Sequence, residues 1–506
     1  MVAALVRLLH SGPQDMRLLP KDGPRDVGAY VRVLTRAGRF TTQWQRLDFQ
    51  QKPQFGPQAT CRILRFGELL TRLLLVVTLP DIYSAQARAI AAAGAGFRGP
   101  RFGWTNSIGH ALIQRLTVEI GGTRVEEIDT RLLEILDEFD TPLEKVISKN
   151  LMIGRLQNGF TETSLGNSAT PLKVYIPLPL WFSRGDLGAA LPIDAIHVDE
   201  IRVSIQFRPL TGVYYTDSRA PASARDGSLE GSALWPITGS SFYQTDAGGS
   251  VIPGLVLNKT PVTALVKPVQ GITMPLSFDL GDTYLLGEYI YLDKPEANRF
   301  RLAEIELPMI QHVPIPVRDT RGFPAFQIPL ELANPTRHLY WMAQNWYAPA
   351  YNAFFLGTRD LSGVDTTYAP WWPDCSGLNT AYVAPLVPGF STRGSEPFSL
   401  IELIYEGNYV RTSTENCSMY RSILPSYEER KSPWINRYMY CLPFATQSGY
   451  YPPSVCVGEA NMNRIMKKEL RFAFGAPVKR LWLFSYAQTY NILKVYGGRA
   501  TMLFGY

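Results

Sequence analysis

His110-Ala-Leu-Ile-Gln-Arg-Leu-Thr-Val-Glu-Ile-Gly-Gly122, followed by Thr130-Arg-Leu-Leu-Glu-Ile-Leu-Asp-Glu-Phe139, decides how this chain is read. Leu116, Val118 and Ile120 alternate with Thr117 and Glu119, the period of a half-buried strand. Gly121 and Gly122 supply the positive φ angles that a tight hairpin turn needs. In Thr130–Phe139, Leu132, Leu133, Ile135, Leu136 and Phe139 fall on one helical face. Thr141-Pro-Leu-Glu144 has the form of a capping box with proline at the first helical position, which predicts a further helical turn. The pattern recurs at Phe398-Ser-Leu-Ile-Glu-Leu-Ile-Tyr-Glu-Gly-Asn408, followed by a polar, aromatic stretch to Glu429. A strand-hairpin signature present twice predicts two β domains of one design.

Outward from these copies the chain keeps β character. Arg39–Phe49, Ala59–Phe66, Tyr284–Asp293, Phe326–Leu332, His338–Tyr347, Tyr438–Phe444 and Leu470–Phe474 are strand-like. Leu69–Leu79 is continuously apolar, as for a strand buried on both faces, and Ile201–Phe207 alternates cleanly. Leu172–Phe182 carries Pro177 and Pro179, which places it at an edge or a bulge. Leu481–Ala487, Gln488–Tyr496 and Ala500–Phe504 close the chain, the last two split by Gly497-Gly498. Two segments, 211–283 and 348–397, are long loops of the kind that serve a function or pack on a partner. The fold class is all-β: two tandem β-sandwiches with short helices and long loops. The expected organisation is an N-terminal arm over 1–36, a first domain over 37–293, a linker over 294–311 and a second domain over 312–506.

Composition suits assembly, with a loop-rich β enzyme as the alternative that composition alone leaves open. The 506 residues are 46% hydrophobic and 12% aromatic, with only 19% charged. Weakly charged, aromatic-rich surfaces suit interfaces. The net charge of +6 is mild over this length. The basic groups Lys467-Lys468 with Arg471, and Lys479-Arg480, sit beside apolar strand residues and are read as solvated strand ends, with no specific nucleic-acid partner. Cys61, Cys375, Cys417, Cys441 and Cys456 are odd in number and lack C-x-x-C spacing, which favours reduced thiols over a disulfide framework or zinc ribbon. Leu69–Leu79, interrupted by Arg72, is too short to cross a bilayer. Met1–His10 lacks the length and cleavage site of a signal peptide and is expected to be a docking arm.

Catalytic signatures are weak. Gly94-Ala-Gly-Phe-Arg-Gly99 fits G-x-G-x-x-G by count, but Ala-rich sequence precedes it and Pro100 follows, so it lacks the strand and helix of a phosphate loop. His10, His110, His197, His312 and His338 are scattered without metal-ligand spacing and are read as packed or surface histidines. Glu126, Glu127 and Asp129 form an acidic cluster. Paired carboxylates serve glycoside hydrolysis, but beside a helix start their simpler role is favourable charge at its N-terminus. No catalytic, cofactor-binding or metal-binding residue is assigned, and no cofactor is expected.

An ordered set of motifs then resembles a known family. Trp104-Thr-Asn, Glu119-Ile-Gly-Gly, Met152-Ile-Gly154, Ile176-Pro-Leu-Pro-Leu-Trp-Phe-Ser-Arg184, Ala190-Leu-Pro192, Glu200-Ile-Arg-Val and Tyr289-Ile-Tyr-Leu-Asp293 with Asn298-Arg-Phe resemble the first half of double jelly-roll major capsid proteins. Those proteins belong to large eukaryotic DNA viruses such as iridoviruses, phycodnaviruses and asfarviruses. Asn334-Pro335 before His338-Leu-Tyr-Trp341, then Pro453-Ser454, Gly458, Asn461 and Arg464, and finally Tyr486–Leu493, are similar to the second half. Gly458 is displaced from the family position, and Asn463 stands where the family has serine. The resemblance covers roughly residues 37–506. It implies two eight-stranded jelly rolls and no enzymatic activity. It also implies a homotrimer forming a pseudo-hexameric capsomer, capsomers tiling an icosahedral shell, and assembly in the host cytoplasm or a viral factory. Implied partners are neighbouring capsomers, minor capsid and penton proteins, and an inner membrane or its proteins beneath the arm. A minor capsid or scaffold paralogue of the same fold is the alternative within this class. A carbohydrate-binding or carbohydrate-active sandwich is the alternative outside it.

Overall fold

The computed structural model describes residues 40–80, 101–105, 107–155, 172–217, 279–345, 354–355, 396–407, 409–433, 438–451, 456–475 and 480–504. The expected arm, the glycine motif at 94–99, Pro453-Ser454, and most of the loops expected at 211–283 and 348–397 lie outside the described residues.

The first half contributes β1 (Phe40–Leu47), β2 (Gln58–Arg62), β3 (Leu69–Leu79), β4 (Arg101–Trp104), β5 (Ile113–Ile120), β6 (Thr123–Asp129), β7 (Leu172–Pro177), β8 (Leu191–Pro192), β9 (Ile201–Phe207), β10 (Tyr214–Asp217) and β11 (Thr283–Leu292). The second contributes β12 (Ile305–Asp319), β13 (Ala325–Pro329), β14 (Pro335–Asn345), β15 (Phe398–Tyr405), β16 (Tyr409–Thr414), β17 (Met439–Pro443), β18 (Ala460–Asn461), β19 (Lys468–Phe474), β20 (Leu481–Tyr496) and β21 (Arg499–Met502). In the first half β1-β11-β3-β7 faces β2-β9-β5-β6; in the second β12-β20-β14-β17 faces β13-β19-β15-β16. The two orders are the same when strands are matched in sequence, so each half is an eight-stranded jelly roll. The hairpin β5–β6 of the first corresponds to β15–β16 of the second.

Both turns form as their glycines require. Gly121 and Gly122 adopt φ of 59° and 82°, and Glu406 and Gly407 adopt 52° and 78°. β7 is the edge of its sheet and ends at Pro177, consistent with a residue that cannot donate to a ladder. β3 is almost wholly buried, with Arg72 reaching out to Glu288 at 2.9 Å. The inward residues Leu75, Val77, Leu116, Val118, Val203 and Ile205 fill the first core. In the second, Trp341 stacks on Tyr440 with ring centres 5.7 Å apart, amid Ile401, Leu403, Phe472 and Leu483.

Some expectations change. β12 opens at Ile305, ahead of the boundary expected at 312, because ladder pairing with Val495 holds it extended despite Pro308. Helix α1 is Ile108–Leu112, and α2 is Thr130–Asp140. The capping box at Thr141 does not form. Thr141 instead ends α2, donating its hydroxyl to Asp137 at 2.8 Å, and a 3-10 turn over Leu143–Lys145 leads into α3, Val146–Ile153. Helix α4 spans Lys294–Leu302. The polar stretch after the second hairpin is also helical: a π-turn over Met419–Ile423 continues into α5, Leu424–Glu428. The two hairpin copies are therefore more alike than their sequences. Lys467 is exposed beside Glu469, but Lys468 is not a solvated strand end. It is buried and donates to the carbonyls of Met462 and Ile465 at 2.9 and 2.8 Å.

Candidate assembly site: the seam between the sandwiches

The elements that follow the first hairpin are those that meet the second sandwich. Asp129 caps α2, accepting the Leu132 N–H at 2.8 Å, as its place before a helix predicts. Its other oxygen accepts the Tyr486 hydroxyl of β20 at 2.7 Å. Replacing Asp129 with Ala is expected to cost about 1–2 kcal/mol, since it removes a cap and strands a buried phenol. Equilibrium urea unfolding measures this.

The apolar residues of α2 pack on the first core, and Phe139 meets Tyr340 of β14 with ring centres 5.4 Å apart. Its acidic residues Glu134, Asp137 and Glu138 are buried too, Asp140 is half-buried, and each has a cation. Glu134 accepts from His110 and Ser107 at 2.6 and 3.0 Å and forms an ion pair with Arg155 at 2.6 Å. Arg155 and Lys149 both pair with Asp137. Glu138 receives Lys431 from the second sandwich at 3.1 Å. Asp140 receives Arg184 at 2.8 Å. Burial alone would raise the Asp137 carboxyl, but Arg155 and Lys149 hold it well below the usual range. Burial disfavours the Arg155 charge, but Glu134, Asp137 and Glu138 together raise its pKa.

A second polar chain runs across the sheet β12-β20-β14. Glu126 of β6 accepts from the backbone N–H and Nδ1 of His312 at 3.1 and 2.8 Å. His312 Nε2 lies 3.1 Å from the Gln488 amide nitrogen, and Gln488 Oε1 lies 2.8 Å from His338 Nδ1. His338 Nε2 lies 2.8 Å from the Ser448 hydroxyl and 3.2 Å from Glu429. These contacts fix neutral tautomers: the Gln488 amide donates to His312 Nε2, and His338 Nδ1–H donates to the Gln488 oxygen. Burial raises Glu126, with His312 acting against it. Burial, reinforced by Asp140, pushes Glu429 up to about 8. Burial and the Arg337 charge hold His338 well below the usual imidazole value.

The seam closes at the C-terminal hairpin. Gly498 carbonyl oxygen accepts the N–H groups of Val198 and Asp199 at 2.9 and 3.3 Å, and Asp199 accepts from the Ala500 N–H at 2.9 Å. A Cβ on Gly498 would meet the His197 ring at 2.6 Å, so only glycine allows this approach.

The acidic cluster of the sequence is thus split: Glu127 and Asp129 line one cavity, and Glu126 turns away from it. Glu126 faces the seam, Glu127 pairs with Arg124 on the other side of the strand, and Asp129 caps α2. Adjacent strand residues point to opposite faces, so Glu126 and Glu127 share no cleft. Among the described residues, no group of three or more His, Cys, Asp or Glu is placed to hold a metal. Also among these, no helix is long and apolar enough to cross a membrane. The histidines His110, His312 and His338 are packed, as expected, but as members of polar networks that isolated histidines do not announce. Only their place on strands of alternating period, His338 before Tyr340 and Gln488 after Tyr486, could have signalled one shared face.

The family profile described as "Major capsid protein N-terminus" matches residues 28–233. The chain is 24% identical over 218 residues to "Probable capsid protein 4" of Acanthamoeba polyphaga mimivirus, covering 42% of this chain and 39% of that one. It is 29% identical over 238 residues to the major capsid protein of Pyramimonas orientalis virus, covering 46% and 52%. The chain thus spans about half the length, or less, of these relatives. The structure is similar to the quasi-atomic model of the PBCV-1 virus capsid, with a TM-score of 0.62 at 17% identity, covering 94% of this chain and 100% of that one. With the same strand order in both halves, the chain has the double jelly-roll fold seen in the PBCV-1 capsid, and its residues 28–233 match the N-terminal part of major capsid proteins.

Proposed function

We propose that this chain is the major building block of an icosahedral shell, three copies forming a pseudo-hexameric capsomer. The observation that carries this reading is a pair of exposed apolar stripes at helical spacing, one on each sandwich. Leu143, Ile147 and Leu151 on the 3-10 turn and α3 are 68%, 61% and 75% exposed. Met419, Ile423 and Tyr427 on the π-turn and α5 are 38%, 50% and 66% exposed. Residues four apart on a helix share a face. Exposed apolar stripes of this kind mark interaction surfaces, and two on equivalent halves suit a closed ring. Neighbouring capsomers are the principal partners; minor capsid proteins, penton proteins and a membrane under the shell are further ones. The shell of the virion is the location.

Light scattering on the purified chain tests this. A trimer burying more than about 2,000 Å² is expected, and a monomer at micromolar concentration sinks the reading. Ile147→Asp and Ile423→Asp, each at an exposed site and so compatible with folding, are expected to shift the trimer toward monomer or abolish capsomer contacts. Unaltered assembly in both variants removes the stripes from the interface.

A further inference from the structure

A cavity of about 290 Å³ opens at the seam between the sandwiches, its wall including Arg115, Glu127, Asp129, Arg131, Arg208 and Tyr486. The two carboxylates are already engaged. Glu127 lies 3.6 Å from Arg115 and also pairs with Arg124. Asp129 caps α2 and takes the Tyr486 hydroxyl.

Arg131 and Arg208 are different. Arg131 donates from Nη2 to the neutral Gln344 Oε1 at 3.0 Å and stacks 3.8 Å over the Phe484 ring. Arg208 donates to the Ala111 carbonyl and the Thr130 hydroxyl, both at 2.9 Å, and stacks 3.9 Å over Phe354. Among the described residues neither forms an ion pair, and Nη1 of each makes no hydrogen bond. Both are half-buried, and guanidiniums drawn partly out of water are ordinarily paired. Burial and repulsion from Arg131 push Arg208 down to about 10. Two guanidiniums are thus held rigidly by aromatic faces and neutral oxygens, with one edge of each unused. A guanidinium edge matches an oxyanion in bidentate geometry. The cavity has room for roughly ten waters at about 30 Å³ each, at the lower limit of small-molecule sites, so it fits a phosphate-sized group and not a large ligand.

We propose that this cavity binds a phosphate-type oxyanion between Arg131 and Arg208, and that the bound anion clamps the two sandwiches. The clamp follows from position: both arginines belong to the first sandwich, while Tyr486, Gln344 and Phe484 belong to the second. The anion is either free phosphate or the phosphoryl group of a nucleotide.

Calorimetry and thermal melts on the full chain test it, with inorganic phosphate and ATP each titrated against sodium chloride of equal ionic strength. Saturable phosphate binding in the millimolar range or tighter is expected, with a rise in melting temperature that chloride does not give. Arg131→Gln and Arg208→Gln are each expected to weaken binding at least about ten-fold, while Arg411→Gln, exposed on β16 away from the cavity, leaves it within two-fold. ATP binding more than about ten-fold tighter than phosphate identifies a nucleotide; equal or weaker ATP binding identifies free phosphate. Should the glutamine variants not fold, Arg208→Lys, which keeps the charge but loses the fork, is expected to weaken binding at least about three-fold. An equal shift with chloride, no saturable binding up to 10 mM, or unchanged affinity in the arginine variants overturns the proposal.

Discussion

Replacing Arg155 with Met is expected to destabilise the chain by about 3–5 kcal/mol, the cost of removing one partner from a buried ionic cluster. Glu134, Asp137 and Glu138 are all buried on α2, and Arg155 touches each of them. Lys149 and Lys431 supply the remaining positive charge. The cluster is neutral as it stands, with three carboxylates against three cations. Without Arg155 a net negative charge remains where water cannot screen it. Arg155→Met combined with Glu134→Gln restores the balance and is expected to recover part of the loss. Urea unfolding followed by tryptophan fluorescence measures both. A loss under about 1 kcal/mol in the single variant, or no recovery in the double, sinks this account.

The second large effect is on the pH dependence of stability. Glu429 titrates near 8 in the folded chain against about 4.5 when unfolded. Between these values the folded state holds a proton that the unfolded state has released. Stability from this group is therefore fully present below about 4.5 and is lost as pH rises toward 8. His338 has the opposite lean: its folded pKa is depressed, so stability is lost as pH falls below the ordinary imidazole value of 6.5. The two oppose each other in the acidic range, and from 6.5 to 8 Glu429 acts without that compensation. Stability should fall with rising pH there, by up to about 1.4 kcal/mol per unit for one fully linked proton. The groups acting on Glu429 come from several elements: Asp140 from α2, Arg184, Arg337 and Tyr340 from β14, and Cys441 from β17. Glu429→Gln keeps the shape and removes the titration. The expected result is a flatter profile between pH 6.5 and 8, with the variant at least as stable as the parent at pH 8. A profile as steep as the parent's would place the linkage on another group, Glu126 being the next raised carboxyl.

The fold was legible because its signals are local. Alternation at Ile201–Phe207, the continuous apolar run at Leu69–Leu79 and the paired glycines at 121–122 and 497–498 each depend on near neighbours in the chain. The ordered motifs resembling capsid proteins covered both halves and carried the double jelly roll. Trp341, Tyr486 and Gln488, quoted among those motifs, proved to be core and seam residues. The second helix was not legible: Met419–Glu428 contains Ser, Tyr and a Pro, and its helical form rests on packing against β17. The capping box at Thr141 failed for a similar reason, since Asp137 on the preceding turn competes for its hydroxyl.

The hairpins, the strand periods and the acidic, amphipathic character of Thr130–Phe139 were set by the sequence alone. Amphipathicity predicts one wet face, and only the tertiary structure reversed that. Residues Glu134, Asp137 and Glu138 are buried because Arg155, Lys149 and Lys431 arrive from distant positions and neutralise them. The pairings Glu126–His312 and Asp129–Tyr486, and the two unpaired arginines at the cavity, were likewise decided by the docking of one sandwich on the other. Sequence period reports which side of an element avoids water. It carries no information on which charge will meet it once another part of the chain displaces that water.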